Sequence, residues 1–114
     1  MYNKCVDRNR GNPVLDIVWG EDFEWDEEKN LSNLKKHGVD FRDAAAIFDD
    51  ADRIEFFDTA HSGTEDRYNT IGMVRDILFV VYTERRERIR MISARKAAPF
   101  EKKMYYDRKK EGFS

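Results

Sequence analysis

The chemistry most open to this 114-residue chain lies in its last third, where Arg85, Arg86, Arg88, Arg90, Arg95 and Lys96 gather around Glu84. A guanidinium holds phosphate bidentately and stays charged, so such a cluster can grip a polyanion backbone and offset charge that builds on a phosphorane. RNA cleavage without a metal needs little more. A base takes the 2′-hydroxyl proton, the oxygen attacks the adjacent phosphorus, and an acid protonates the leaving 5′-oxygen, each transfer contributing roughly 10²- to 10⁴-fold. Side chains of suitable type are Lys36, His37, His61, Glu84 and Tyr105. Each also has a structural role open to it. Lys36 and His37 suit the negative end of a helix, His61 a loop, Glu84 a pair with Arg88 across a hairpin, and Tyr105 a place beneath a sheet. Residue type alone leaves both readings standing.

Other chemistries find less support. Two His and one Cys, with no HExxH or CxxC spacing, make no zinc constellation, so no metal and no cofactor are expected. GxGxxG, GxxxxGK[ST] and GxSxG are all absent. Cys5 has no His near it in sequence and reads as a free surface thiol. The formal charge of -2 hides an asymmetry: Glu84 to Lys110 carries 11 Lys and Arg against 4 Asp and Glu, a local +7 that leaves -9 on the remainder. That asymmetry suits a polyanion partner, and a plain solvated face would share it.

The elements that must position these groups can be read in order. A length of 114 residues with 40% hydrophobic and 13% aromatic content fits one folded domain. The longest apolar run, Ile77 to Tyr82, falls far short of the about 20 residues of a membrane span. The first ten residues lack an apolar signal segment, and a cytoplasmic location is expected. Phe23 to Trp25 alternates as a short strand. Asp26 then caps a helix over Glu27 to His37, with Leu31 and Leu34 as its apolar stripe and Gly38 as its stop. Asp40 caps a second helix through Phe48, ended by the Asp49 to Asp52 turn. Strands are predicted at Arg53 to Phe57, Arg67 to Val74, Ile77 to Thr83 and Arg88 to Ala94, with Glu84 to Glu87 as a hairpin loop. Alternation in the last strand puts Ile89, Met91 and Ser93 on one face and Arg88, Arg90, Ile92 and Ala94 on the other. Pro99 opens a final helix to Lys110, with Phe100 and Met104 as an apolar pair. The expected fold is α+β: two N-terminal helices, an antiparallel sheet of about four strands and a C-terminal helix. Residues 1–22 form an extension of open structure, and 23–114 form the domain.

Three stretches carry a family resemblance. Trp25-Asp26-Glu27-Glu28-Lys29-Asn30, Asn33 to Val39 (NLKKHGV) and then Phe41, Ala44 and Phe48-Asp49-Asp50 resemble the amino-terminal signature of the BrnT toxins. His61, Glu65 to Arg67 and Ile71-Gly72 are similar to its H...ExR...IG stretch. Thr83-Glu84-Arg85 with Arg88 to Ala97 (RIRMISARKA) is similar to its TxR...RIISAR motif, and Glu101 and Tyr105 continue the pattern. The resemblance implies a RelE-like α+β ribonuclease that halts translation as the toxin of a type II toxin-antitoxin system. It also implies neutralisation by a BrnA-type ribbon-helix-helix antitoxin, in a heterotetramer that binds operator DNA. Residues 1–22 precede the usual family start.

Together these readings give a metal-independent endoribonuclease. Arg88 and Arg95 would stabilise transition-state charge, with Glu84, Lys36 or His37 in proton transfer or positioning. His61, Arg67, Arg85, Arg86 and Lys96 would bind RNA, and Arg95→Ala would abolish activity with the fold intact. The antitoxin is expected to cover the basic surface, the alternative being a groove lined by Phe41 and Phe48. The rival functions are a non-catalytic module that binds the antitoxin and, through it, operator DNA, and a plain RNA-binding domain. Proton-transfer groups that converge on one phosphate would favour the enzyme.

Overall fold

The structure, a computed structural model, describes residues 15–16, 22–60, 63 and 65–112. The expectations for Cys5 and His61 lie outside the described residues. In chain order the elements are β1 (Leu15–Asp16), β2 (Phe23–Asp26), α1 (Glu27–His37), α2 (Phe41–Ala44), a 3-10 turn (Ala45–Asp49), β3 (Ile54–Phe57), β4 (Tyr68–Val74), β5 (Asp76–Arg85), β6 (Arg88–Lys96) and α3 (Pro99–Gly112). The strands lie in the order β1-β2-β6-β5-β4-β3. β3 to β6 form the expected antiparallel run. The expected sheet of four strands is too small: β2 adds a fifth, parallel to β6 at Ile89 and Arg90, and β1 pairs antiparallel with β2. Short strands carry little periodic signal, and β2 meets β6 some 65 residues later in the chain, which local patterning cannot reveal.

Helix α1 spans the expected residues for the expected reasons. The Asp26 carboxylate accepts from the Glu28 N–H, Glu27 and Glu28 sit at the positive dipole end, and Gly38 takes the left-handed conformation at φ 73. Its buried face is not the expected one. Leu31 and Leu34 are 56% and 39% exposed, whereas Asn30 and Asn33 are buried. Asn33 donates to the carbonyls of Val39 (2.9 Å) and Ala94 (2.8 Å) and accepts from the Ala94 N–H (3.1 Å). β2 pairs with β6 only at Ile89 and Arg90, so the Asn33 amide supplies further along β6 the partners a longer strand would have given. Asn30 likewise accepts from the Phe41 N–H and donates to the Asp40 carboxylate, tying α1 to α2. The second helix is shorter than expected and tightens into the 3-10 turn after Ala44.

Two apolar clusters lie on opposite faces of the sheet. On the face packed by α1 and α2, Trp25, Phe41, Ile47, Leu78, Val80, Met91 and Ala94 interlock. The 3-10 turn presses close: a Cβ on Gly72 would lie 2.7 Å from Ile47 Cγ1, so only glycine fits there. On the other face, α3 seals Ile54, Ile71, Ile77 and Ala97 with Tyr105, whose hydroxyl donates to Asp50 (2.7 Å). The expected alternation of β6 fails midway because the register slips between Val81/Tyr82, leaving Ile92 as an unpaired bulge residue. Met91 and Ala94 therefore share one core, although strict alternation assigns them to opposite faces.

Candidate functional site

Beyond α3, toward the β5–β6 turn, the second face of the sheet carries charge instead of apolar cover. Arg88 and Arg90 alternate with Ile89, which packs into the α1 core, and so lie on the opposite side, as Glu24 does by alternating with buried Trp25. Because β2 and β6 run parallel, Glu24 stands beside Arg90. Arg90 Nη1 meets Glu24 Oε2 at 2.9 Å and Arg88 Nη1 approaches Oε1 at 3.8 Å. The Glu24 side chain is 13% exposed. Arg85 pairs with Arg88 across the hairpin and binds Glu65 at 3.0 Å. Glu24, Arg85, Arg86 and Arg90 line a cavity of about 290 Å³.

The turn that presents these arginines is strained. Arg86 and Glu87 both take left-handed φ, 52 and 70, the geometry of a tight two-residue hairpin that normally selects Asn and Gly. Two charged residues with a Cβ cost about 1 kcal/mol or more each there, and of the two only Arg86 lines the cavity.

The remaining sequence candidates scatter. Glu84 pairs with Ile89 and so lies on the α1 face, across the sheet from Arg88, where it lines a second cavity of about 370 Å³ with Glu55, Phe57, Tyr68 and Tyr82. Lys36 and His37 are exposed at the end of α1, next to Gly38, which lines a cavity with Val74, Asp76 and Lys96 at the far end of the sheet. β5 runs ten residues between that end and the hairpin, or roughly 30 Å. Lys96 lies there too, 3.7 Å from Asp76. Arg95 shares the face of Arg88 but stands roughly 20 Å along the strand. Arg67 immediately precedes β4, at the hairpin end. The expected convergence of Lys36, His37, Glu84, Arg88 and Arg95 on one phosphate is therefore absent from the described residues.

Arg95 has a structural task. Its guanidinium forks onto Glu101 at 2.8 and 2.9 Å and lies 4.2 Å over the Phe79 ring. Glu101 is 6% exposed and also accepts from the Ala98 N–H at the start of α3. Burial acts to raise the Glu101 pKa, but the bonds from Arg95 and Ala98 overcome it and hold the carboxyl below its usual range. Arg95→Ala thus removes the partner of a buried carboxylate, contrary to the expectation that it would spare the fold. Tyr105 is likewise committed, since burial and its bond to Asp50 push its hydroxyl well above the usual range. The expected groove of Phe41 and Phe48 is filled: Phe41 is fully buried against Trp25, and Phe48 packs between Phe23 and Tyr82.

Glu24 is the site residue that sequence reasoning missed. Its one signal is the Phe23-Glu24-Trp25 alternation, which turns a carboxylate away from the aromatic core. Among the described residues no group of three or more His, Cys, Asp or Glu is placed to hold a metal ion, and no helix is long and apolar enough to cross a membrane. A search of curated proteins finds no match to the chain. A family model does match, over residues 25–101, and it describes the ribonuclease toxin BrnT of type II toxin-antitoxin systems. The match takes in β2 from Trp25 onward, both N-terminal helices, the whole antiparallel run and the start of α3. The cavity's arginines lie inside that span and Glu24 one residue before it, and the chain belongs to the BrnT family of ribonuclease toxins.

Proposed function

We propose that this toxin cleaves single-stranded RNA without a metal at the cavity between Glu24 and the hairpin arginines. The observation that carries the reading is the clustering of Arg85, Arg86 and Arg90 around one partly buried carboxylate. Arg85 and Arg86 bind the RNA backbone, while Arg88 and Arg90 face the scissile phosphate and offset charge as the phosphorane forms. Glu24 takes the 2′-hydroxyl proton, and O2′ then bonds to phosphorus. The P–O5′ bond breaks, and the 5′-oxygen takes a proton from water. The products are a 2′,3′-cyclic phosphate and a free 5′-hydroxyl. Arg90 orients the carboxylate through Oε2, and the looser contact at Oε1 leaves that oxygen available to accept the proton. Lys36, His37 and Lys96 lie too far from this cavity to share one phosphate with it, and they contribute at most to the path of a longer RNA.

The same reading makes the partner a BrnA-type ribbon-helix-helix antitoxin in a heterotetramer that binds operator DNA, and places the toxin in the cytoplasm as an inhibitor of translation. The test is cleavage of a labelled RNA by purified toxin in EDTA, followed by analysis of the product ends. Cyclic phosphate termini that form in EDTA support the proposal. Cleavage only with added Mg²⁺, Mn²⁺ or Zn²⁺, or 5′-phosphate products, would overturn the mechanism. Intact RNA with tight antitoxin binding would favour a non-catalytic module.

A further inference from the structure

The second cavity, on the α1 face, has a chemistry of its own. Tyr68 stacks on Tyr82 with ring centroids 5.5 Å apart, and Phe57 meets Tyr68 edge-on at 5.7 Å. Glu55 accepts from the Tyr82 hydroxyl, and Glu84 closes the opposite wall. Aromatic faces beside two carboxylates, Glu55 meeting Arg53 only in a loose 3.8 Å contact, suit a cation, which gains from the ring quadrupoles and the negative charge together. Inorganic cations fit poorly because the walls offer rings where such ions need several oxygens. A guanidinium or ammonium on an apolar stem matches both the rings and the carboxylates.

The cavity adjoins a sheet edge. Among the described residues β3 is the last strand in the order and pairs only with β4. No backbone bond of Ile54 to Phe57 reaches beyond β4 among the described residues. Phe57 is 45% exposed and Phe56 38% on this edge. An open edge with exposed aromatic residues is a template for pairing, and natural proteins rarely leave one uncovered. A strand added there would pair with β3, and every second side chain would project over the α1 face beside Glu55 and Phe57.

We infer that the Glu55–Tyr68–Tyr82–Glu84 pocket and the free edge of β3 together form a docking site for an extended segment of the antitoxin, with one Lys or Arg side chain in the pocket. This rests on the family assignment, which supplies an antitoxin, and not on the cleavage mechanism. The site lies across the sheet from the arginine cavity, so the antitoxin holds the toxin by a surface the RNA does not need.

The test measures complex formation between the full-length toxin and the antitoxin encoded with it. Hydrogen exchange should show the amides of Glu55 and Phe57, which alternate with the β4-bonded ones and face the open edge, protected in the complex. Glu55→Gln keeps an acceptor for Tyr82 while removing the charge, and should weaken antitoxin affinity about tenfold. Phe57→Ser should do the same, and RNA cleavage by both free variants should match wild type. Replacing each antitoxin Lys and Arg by Met in turn should reveal one position whose loss is not additive with Glu55→Gln. Tight binding with β3 unprotected, or with wild-type affinity in both variants, would overturn the docking site and leave the toxin assignment intact. No antitoxin binding by the wild-type chain would overturn both.

Discussion

Glu84 and Arg85 are consecutive residues that open onto different surfaces. Arg85 belongs to a cavity of guanidinium groups around one carboxylate, and Glu84 to a cavity of aromatic rings around two. The period of two in a strand sorts a mixed-charge sequence into one basic and one acidic face, separated only by the thickness of the sheet. A charge count along the chain averages the two away, so the +7 of the C-terminal segment understates how finely its charge is divided.

The largest expected effect comes from replacing each of the two carboxylates, Glu24 and Glu84, by its amide. Glu24→Gln should lower the single-turnover cleavage rate about 10²-fold or more while RNA affinity holds or rises, because a negative charge leaves the cavity. Glu84→Gln should change cleavage less than about threefold. Equal losses in both variants would erase the distinction between the faces. Arg85→Glu with Arg86→Glu comes next. Four arginine–phosphate contacts give a slope of log affinity against log salt near -3, at about 0.7 per contact for single strands, and the double reversal should flatten it by at least about 1.4. RNA affinity should fall more than tenfold, read by a salt titration of a labelled RNA.

Arg95→Ala probes a part of the open face assigned to structure. It should cost about 2 kcal/mol of stability by denaturant unfolding, less than the roughly 3–5 of a fully buried pair because the guanidinium is partly in water. Its pH signature has a definite sign. The Glu101 carboxyl is held below its usual range in the folded state, so its stabilisation is complete above the unfolded-state value and drains away as pH falls through the folded one. Asp50 behaves alike: burial acts to raise its pKa, and bonds from Met73, Tyr105 and Asp52, with the Lys109 charge, bring it down. Glu101→Gln should therefore flatten the loss of stability on acidification below about pH 4.5. The smallest effect is Glu87→Gly, which relieves a left-handed residue at the hairpin and should add about 1 kcal/mol, read as a raised Tm, with cleavage unchanged.

What the sequence revealed followed from local physics. The Asp26 and Asp40 caps, the Gly38 stop and the four antiparallel strands all announce themselves within a few residues. What it concealed was long-range. The apolar residues of α1 suggested a Leu31–Leu34 stripe, yet the helix buries Asn30 and Asn33 because the backbone of Ala94, 61 residues beyond Asn33, needs partners. The bulge at Ile92 broke an alternation that looked regular. The site suffered most. The arginines were legible as a cluster, but which of them converge depends on strand register, and Glu24 joins them only because β2 runs parallel to β6.

The central claim is that RNA lies on the open face at the hairpin end. Its most direct test is an amide chemical-shift map of the Glu24→Gln toxin titrated with an RNA analogue whose 2′-deoxy linkage blocks cleavage. The account predicts shifts at Phe23 to Trp25 and Arg85 to Arg90, with Phe57 and Gly38 unmoved. Shifts centred on Lys36, His37 and Lys96, or on Phe57 and Tyr68, would contradict it.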